Sequence, residues 1–365
     1  MANNDLSCRP HLLADNRVPV YYAGGGKINE FRRLSEAVSG PEDWVGSLVP
    51  LPAAILGADA DPTTGISRLD GGALLSELVA EDPEGWLGAD LVDAFGTSSA
   101  LLVKLLDAGE RLPVHCHPSR SFAQRHLGSL FGKTEGWIVM RADPGACIWI
   151  GFAHPVDRSD LRAWIDQQDV ESMLKAMMQI PVKAGEVIYV PAGTPHAIGP
   201  GVMITELQEP TSFSVLADYE AFGVEDTAAT LGLGWDLALS CFDLSGYHGR
   251  MDLLLHQPSV ISASSSGRIE RLFDRQADEY FRALRVRCNG EVNLAESTFA
   301  ILVLTEGSGE LQWGQGRIQV HAGMTLVVPH AAGPLTFRGS LEALACLPPV
   351  AHVGADDRPM SQEVR

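Results

Sequence analysis

Four side chains, His115, His117, Glu135 and His196, stand at spacings that let β-structure aim three imidazoles and one carboxylate at a single divalent metal. His115 and His117 are two apart in the run VHCHP, and successive strand residues alternate faces, so both rings point the same way. Cys116 between them should face away, into the core. His196 closes the run GEVIYVPAGTPH at 185–196, which reads as a turn glycine, a short apolar strand and a Pro/Gly corner presenting a histidine. Glu135 lies in GKTEGW at 132–137, where Lys133 and Glu135 share one strand face. Imidazole and carboxylate suit zinc, iron, manganese or nickel, and a set that leaves one position open is catalytic in type. Zinc is the first choice. His126, His154, His248, His256, His321 and His352 lack such surroundings and are expected to be ordinary surface or core residues.

The elements that must position these groups are strands punctuated by glycine and proline, with helical insertions. Residues 71–97 carry apolar positions at helical spacing broken by Pro83, which predicts two short helices. Residues 157–180 predict a further helical stretch, with Asp157 or Ser159 as its cap and Pro181 as its stop. Residues 223–256 read as mainly helical, and strands resume after them. The triple glycine at 24–26 is a turn, because neither a dinucleotide fingerprint nor a P-loop surrounds it.

The run GMTLVVP at 323–329 echoes GEVIYVP at 185–191, but the position five beyond its proline is Pro334, where the first copy has His196. The expected fold is therefore mainly β: two small jelly-roll-like barrels in tandem, the first metal-bearing and the second structural. The expected division is 1–222 for N-terminal strands, helices and the metal-binding barrel, 223–268 for a helical connection, and 269–365 for the second barrel and tail.

Composition bounds the rest. The 365-residue chain is 45% hydrophobic and 20% charged, in the range of globular proteins able to bury one large or two ordinary cores. A formal net charge of −19 with no cluster of Lys and Arg argues against nucleic acid as a partner. No window reaches the roughly 18 consecutive apolar residues of a membrane helix, and no secretory leader is recognisable, so a cytoplasmic location is expected. The six cysteines are scattered without a CxxC and read as reduced thiols.

The pattern Gly-x5-Pro-x-Gly-x2-His is a cupin signature, and its wider context resembles the class I, zinc-dependent mannose-6-phosphate isomerases, from EDWVG at 42–46 through LLVKLLD at 101–107 to the second barrel. The resemblance implies a cupin barrel binding one divalent ion, with a sugar or sugar phosphate as partner and aldose–ketose isomerisation as the reaction. The family's Gln-Val-His-Pro reads HCHP at 115–118 here, so His117 carries over as a ligand and His115 replaces the glutamine with another donor. Gly-Lys-Thr-Glu is intact at 132–135, which makes Glu135 a ligand and Lys133 an active-site residue, and His196 the last ligand. Glu206 matches a glutamate lining the cavity and is, with Lys133, a candidate for catalysis. Arg120 and Ser119 are placed near the substrate's phosphate, and Arg125 and Lys27 are further basic candidates. The chain departs from the family after Glu206: it reads LQEPTSFSV at 207–215, without the arginine expected there. That departure keeps two other readings open, a metal-dependent cupin acting on a different or unphosphorylated sugar and a non-catalytic sugar-binding module.

Overall fold

The computed structural model describes residues 6–52, 55 and 60–351, which places His352 outside the described residues. Three antiparallel sheets dominate. The metal-bearing half pairs a seven-stranded sheet with a five-stranded one. The larger sheet runs Leu255–His256, Val187–Val190, Glu135–Ala142, Val202–Gln208, Leu102–Asp107, Glu42–Val45, Arg17–Val18. The smaller runs Val215–Leu216, His115–Cys116, His196–Ile198, Cys147–Phe152, Met177–Pro181. The other half is one eight-stranded sheet built on the long strands Arg282–Leu294, Ala300–Trp313 and Leu335–Leu347.

Strand periodicity explains how the two halves join. Along Ala300–Trp313, Ala300, Leu302 and Leu304 point into the second barrel's own core, while Ile301 and Val303 point out. Along the large sheet of the first barrel, Trp137, Val139, Ile188, Val190 and Ile204 fill that barrel, while Val103, Leu105, Ile138, Val187, Met203 and Leu207 face outward. The outward residues of both sheets form one cluster, completed by Phe273, Phe281 and Phe299. The second barrel therefore covers the outer face of the first barrel's main sheet. Each fully buried Phe in this seam contributes on the order of 2–3 kcal/mol of transfer free energy.

Two strands cross the contiguous division expected from the sequence. His11–Leu13 pairs with Thr325–Val328 in the second barrel's sheet, and Leu255–His256 pairs with Val187–Val190 in the first. The echoed segments, GEVIYVP and GMTLVVP, both form a four-residue strand beginning two residues after the turn glycine.

The helical insertions differ from the expected pattern in number. Residues 71–97 form three helices, Leu75–Glu81, Pro83–Leu87 and Ala89–Phe95, because Gly88 interrupts the pattern as well as Pro83. The stretch at 157–180 is two helices, Arg158–Asp166 and Val170–Ala176. Asp169 breaks it and caps the second helix by accepting from the Ser172 amide, and Met177–Pro181 is already a strand. Between 223 and 256 the helical pieces are short turns, Asp226–Ala229, Trp235–Ala238, Leu239–Cys241 and Met251–Leu253, since glycines at 232, 234, 246 and 249 divide the run, which ends as the strand Leu255–His256. No described helix is long and apolar enough to cross a membrane.

Candidate metal centre

The four groups singled out by spacing meet at one end of the first barrel, between its two sheets. His115 and His196 are directly opposed across neighbouring strands of the smaller sheet. Glu135 opens a strand of the larger sheet, and Gln208 is its partner there. His117 follows its strand into Pro118, and the corner at 191–194 is bonded onto it: the Gly193 amide donates to the His117 carbonyl at 2.8 Å. Gly193 has φ +90°, and a Cβ there would lie 2.9 Å from the Cys241 carbonyl, so only glycine fits the corner that delivers His196.

One donor atom from each of His115, His117 and His196 lies within 4.8 Å of the others, and all three residues are buried. Each ring's Nδ1 lies against a backbone carbonyl: Pro113 at 2.8 Å for His115, Phe213 at 2.7 Å for His117, Thr194 at 2.8 Å for His196. A carbonyl only accepts, so each Nδ1 carries the proton and each neutral ring turns an Nε2 lone pair inward. Burial depresses all three histidines, His117 to about 3 and His115 well below the usual range, so they are neutral at pH 7.

Glu135 supplies the charge. Burial opposes ionisation of its carboxyl, but His117 and Lys133 beside it hold it well below the ordinary carboxylate range. Its Oε1 lies 2.7 Å from His117 Nε2 and 2.7 Å from Lys133 Nζ, and its Oε2 lies 3.7 Å from His196 Nε2. His117 Nε2 and Glu135 Oε1 are thus two acceptors at hydrogen-bond distance, and the Lys133 ammonium lies within reach of both, 2.7 Å from the carboxylate and 3.3 Å from the ring nitrogen. His196 Nε2 is buried without a hydrogen-bond partner among the described residues. Three nitrogens and one carboxylate oxygen are the donor set of a divalent transition metal with an open position, so the residues fit the ion that the sequence implies. Cys116 faces away, in the apolar cluster with Val114, Phe122 and Phe152.

Beyond Glu135 the barrel interior continues as a buried polar row. Trp44, Lys104, Glu206 and Trp137 are successive partners across four strands. Trp137 Nε1 reaches Glu135 at 3.0 Å and Glu206 at 3.3 Å, and Lys104 Nζ lies 3.2 Å from both Glu206 and Glu42. Glu42 also accepts from Tyr22 and Trp44. Burial and the nearby Glu135 charge push the Glu206 carboxyl up to about 7, against the pull of Lys104 and Lys133. Burial disfavours charge on Lys104, but Glu42 and Glu206 outweigh it and raise its pKa. Motif spacing does not single out Lys104, Glu42 or Trp137. The available signal is a lone lysine inside the apolar strand at 101–107, which can be buried only with carboxylates around it.

The residues expected around a substrate phosphate lie elsewhere or are engaged. All three guanidinium nitrogens of Arg120 contact Glu209 or Glu279, and the group lies 4.6 Å from the Tyr280 ring centroid. Ser119 is exposed and its hydroxyl caps the helix Arg120–His126 by accepting from the Phe122 amide. Arg125 is exposed and donates to the Ser121 carbonyl. Lys27 pairs with Asp143, beyond the opposite end of the strand that Glu135 begins. In place of an arginine, the segment after Glu206 offers the Phe213 carbonyl and the Ser214 hydroxyl to His117.

No family model matches the chain. It is 30% identical over 283 residues to the mannose-6-phosphate isomerase of Streptococcus mutans serotype c, which covers 75% of this chain and 80% of that protein. Among solved structures, the mannose 6-phosphate isomerase from Bacillus subtilis superposes with a TM-score of 0.73 at 23% identity, over 93% of this chain and 99% of that one. A mannose 6-phosphate isomerase bound with zinc and yttrium superposes with a TM-score of 0.69 at 14% identity, over 93% and 100% of the two chains. At these identities the two structural likenesses carry the cupin fold and nothing further.

Proposed function

The chain belongs to the mannose-6-phosphate isomerase family, and from that premise we propose that it interconverts mannose 6-phosphate and fructose 6-phosphate at one zinc ion held by His115, His117, Glu135 and His196. The observation that carries this reading is the locked tautomer of three buried imidazoles whose Nε2 atoms converge beside an ionised carboxylate.

The reaction moves a proton between C1 and C2 while negative charge builds on their oxygens. A divalent ion bound by these four groups would polarise those oxygens. Lys133 holds its amine 2.7 Å from Glu135 and 3.3 Å from His117 Nε2, so its positive charge lies where that charge develops. Glu206 carries the proton: with its carboxyl raised to about 7, it passes between acid and base forms near neutrality. Lys104 and the Trp137 indole keep Glu206 oriented, and the burial of every member of the row excludes bulk water. With no arginine after Glu206, Lys104 and Lys133 are the cations that this centre offers in its place.

The test is metal analysis followed by a coupled assay on mannose 6-phosphate and on free mannose. One zinc per chain, activity abolished by chelation and restored by zinc, and strong preference for the phosphorylated sugar are expected. Apoprotein turning over as fast as the zinc-loaded protein would overturn the assignment.

A further inference from the structure

Glu209 is a fully buried carboxylate. It lies outside the ligand set, yet it grips the segment that carries Lys133 and Glu135: its Oε2 accepts from the Thr134 amide at 2.9 Å, and its own amide donates to the Thr134 carbonyl at 3.3 Å. Its Oε1 accepts from Arg120 Nε, whose remaining nitrogens contact the carboxylate and the backbone carbonyl of Glu279 on the second barrel's side of the molecule. The Arg120 guanidinium lies over the Tyr280 ring, 4.6 Å from its centroid. The same segment is fastened on its other flank, where the Lys133 amide donates to the Pro118 carbonyl at 3.0 Å and Thr211 donates to the Gly132 carbonyl at 2.7 Å. Gly132 allows this approach, since a Cβ there would fall 2.5 Å from the Pro118 carbonyl. The loop after the ligand His117 and the strand carrying the ligand Glu135 are thus bolted together through Arg120 and Glu209.

We infer that Arg120 and Glu209 are a positioning pair: they hold Lys133 and Glu135 in register with the metal-binding histidines and tie that register to the second barrel. This rests on the functional reading of Lys133 and Glu135 given above. A buried carboxylate needs its counter-charge, so losing the arginine alone leaves Glu209 unpaired and drives the 132–135 segment to shift, whereas losing both charges leaves no such penalty. A phosphate-binding arginine would behave differently. It would act on substrate affinity and would not depend on Glu209.

The experiment compares Arg120→Ala, Arg120→Lys, Glu209→Gln and the double variant Arg120→Ala/Glu209→Gln. Zinc affinity is measured on apoprotein by chelator competition, and kcat and KM on mannose 6-phosphate. Arg120→Ala is expected to lower kcat and zinc affinity at least tenfold with KM within about threefold of wild type, by the 10- to 100-fold scale of losing a group that orients a ligand. Arg120→Lys should recover part of both. The double variant should be no worse than Arg120→Ala alone, and it keeps the test available if that single variant fails to fold. A tenfold rise in KM with kcat and zinc affinity unchanged would overturn the proposal, as would a double variant whose losses multiply. Wild-type protein that binds zinc but does not isomerise the sugar would refute the proposed function, while the zinc affinities would still judge the pair.

Discussion

The two barrels each contain a copy of one glycine-to-proline strand and differ in the turn beyond it. Val187–Val190 and Thr325–Val328 each start two residues after a turn glycine and end at a proline. After Pro191 the chain turns through Gly193 and returns as the strand His196–Ile198, against His115. After Pro329 it makes a short 3-10 turn, His330–Ala332, and returns as Leu335–Leu347 with Pro334 in the ligand's place. Their interiors diverge accordingly. One end of the first holds Glu42, Lys104, Glu135, Glu206 and three histidines, all buried, while the second is filled by Leu, Val, Ile, Ala and Phe with one cysteine. Buried charge is costly unless fully partnered, so the gathering of three carboxylates and a lysine beside three buried histidines in the first barrel points to where the chemistry is.

The largest expected break in this contrast is His196→Ala, which should remove bound zinc and lower kcat/KM by more than about 10²-fold while the circular dichroism spectrum is retained. Metal analysis and the coupled assay check it together. Next comes Lys104→Met. It leaves Glu42 and Glu206 without their cation, and chemical denaturation should show a loss of about 3–5 kcal/mol, the scale of breaking a buried ion pair. Leu302→Ala in the second barrel should cost a similar ~2–5 kcal/mol through its cavity, yet leave kcat per folded molecule unchanged. A large drop in kcat would show that the second barrel's interior shapes the chemistry after all.

The seam gives a smaller effect. A Cβ on Gly136 would lie 2.5 Å from Phe273 and 2.7 Å from Phe281, so Gly136→Ala should cost about 1–3 kcal/mol by overpacking. It would also sharpen the comparison, because Gly136 lies between Glu135 and Trp137. The subtlest effect is in the acid stability of apoprotein. His115, His117 and His196 are depressed in the folded state, so the unfolded chain binds more protons below about pH 6.5 and stability falls as pH drops. Glu206 acts with the opposite sign, being raised to about 7 when folded, but one carboxyl opposes three imidazoles. Melting temperatures from pH 7 to pH 5 should therefore decline in apoprotein, and a rise would contradict the neutral-imidazole reading.

The convergence of the histidines is legible in the sequence because strand alternation acts over two residues: His115 and His117 point the same way, and Cys116 turns away, by local geometry alone. The echo of 185–191 in 323–329 likewise reports two related strands. The contacts that escape such reading are set across strands. Lys104 meets Glu42 and Glu206 through sheet register, and Arg120 meets Glu209 and Glu279 at separations of 89 and 159 residues, which no local spacing encodes. Arg120 reads as a phosphate contact in the sequence because it follows a histidine motif, and its contacts to Glu209 and Glu279 appear only in the fold. The helical stretches over-join for a related reason: apolar period survives across Gly88 and Asp169, while capping and backbone freedom at those residues end the helix.

The central claim is that His115, His117, Glu135 and His196 hold one divalent ion. Zinc-edge X-ray absorption on the zinc-loaded protein tests it most directly. A first shell of nitrogen and oxygen at about 2.0–2.2 Å, with the multiple-scattering signature of three imidazoles, is the predicted result. A sulfur neighbour at about 2.3 Å, or fewer than two imidazoles, would contradict it.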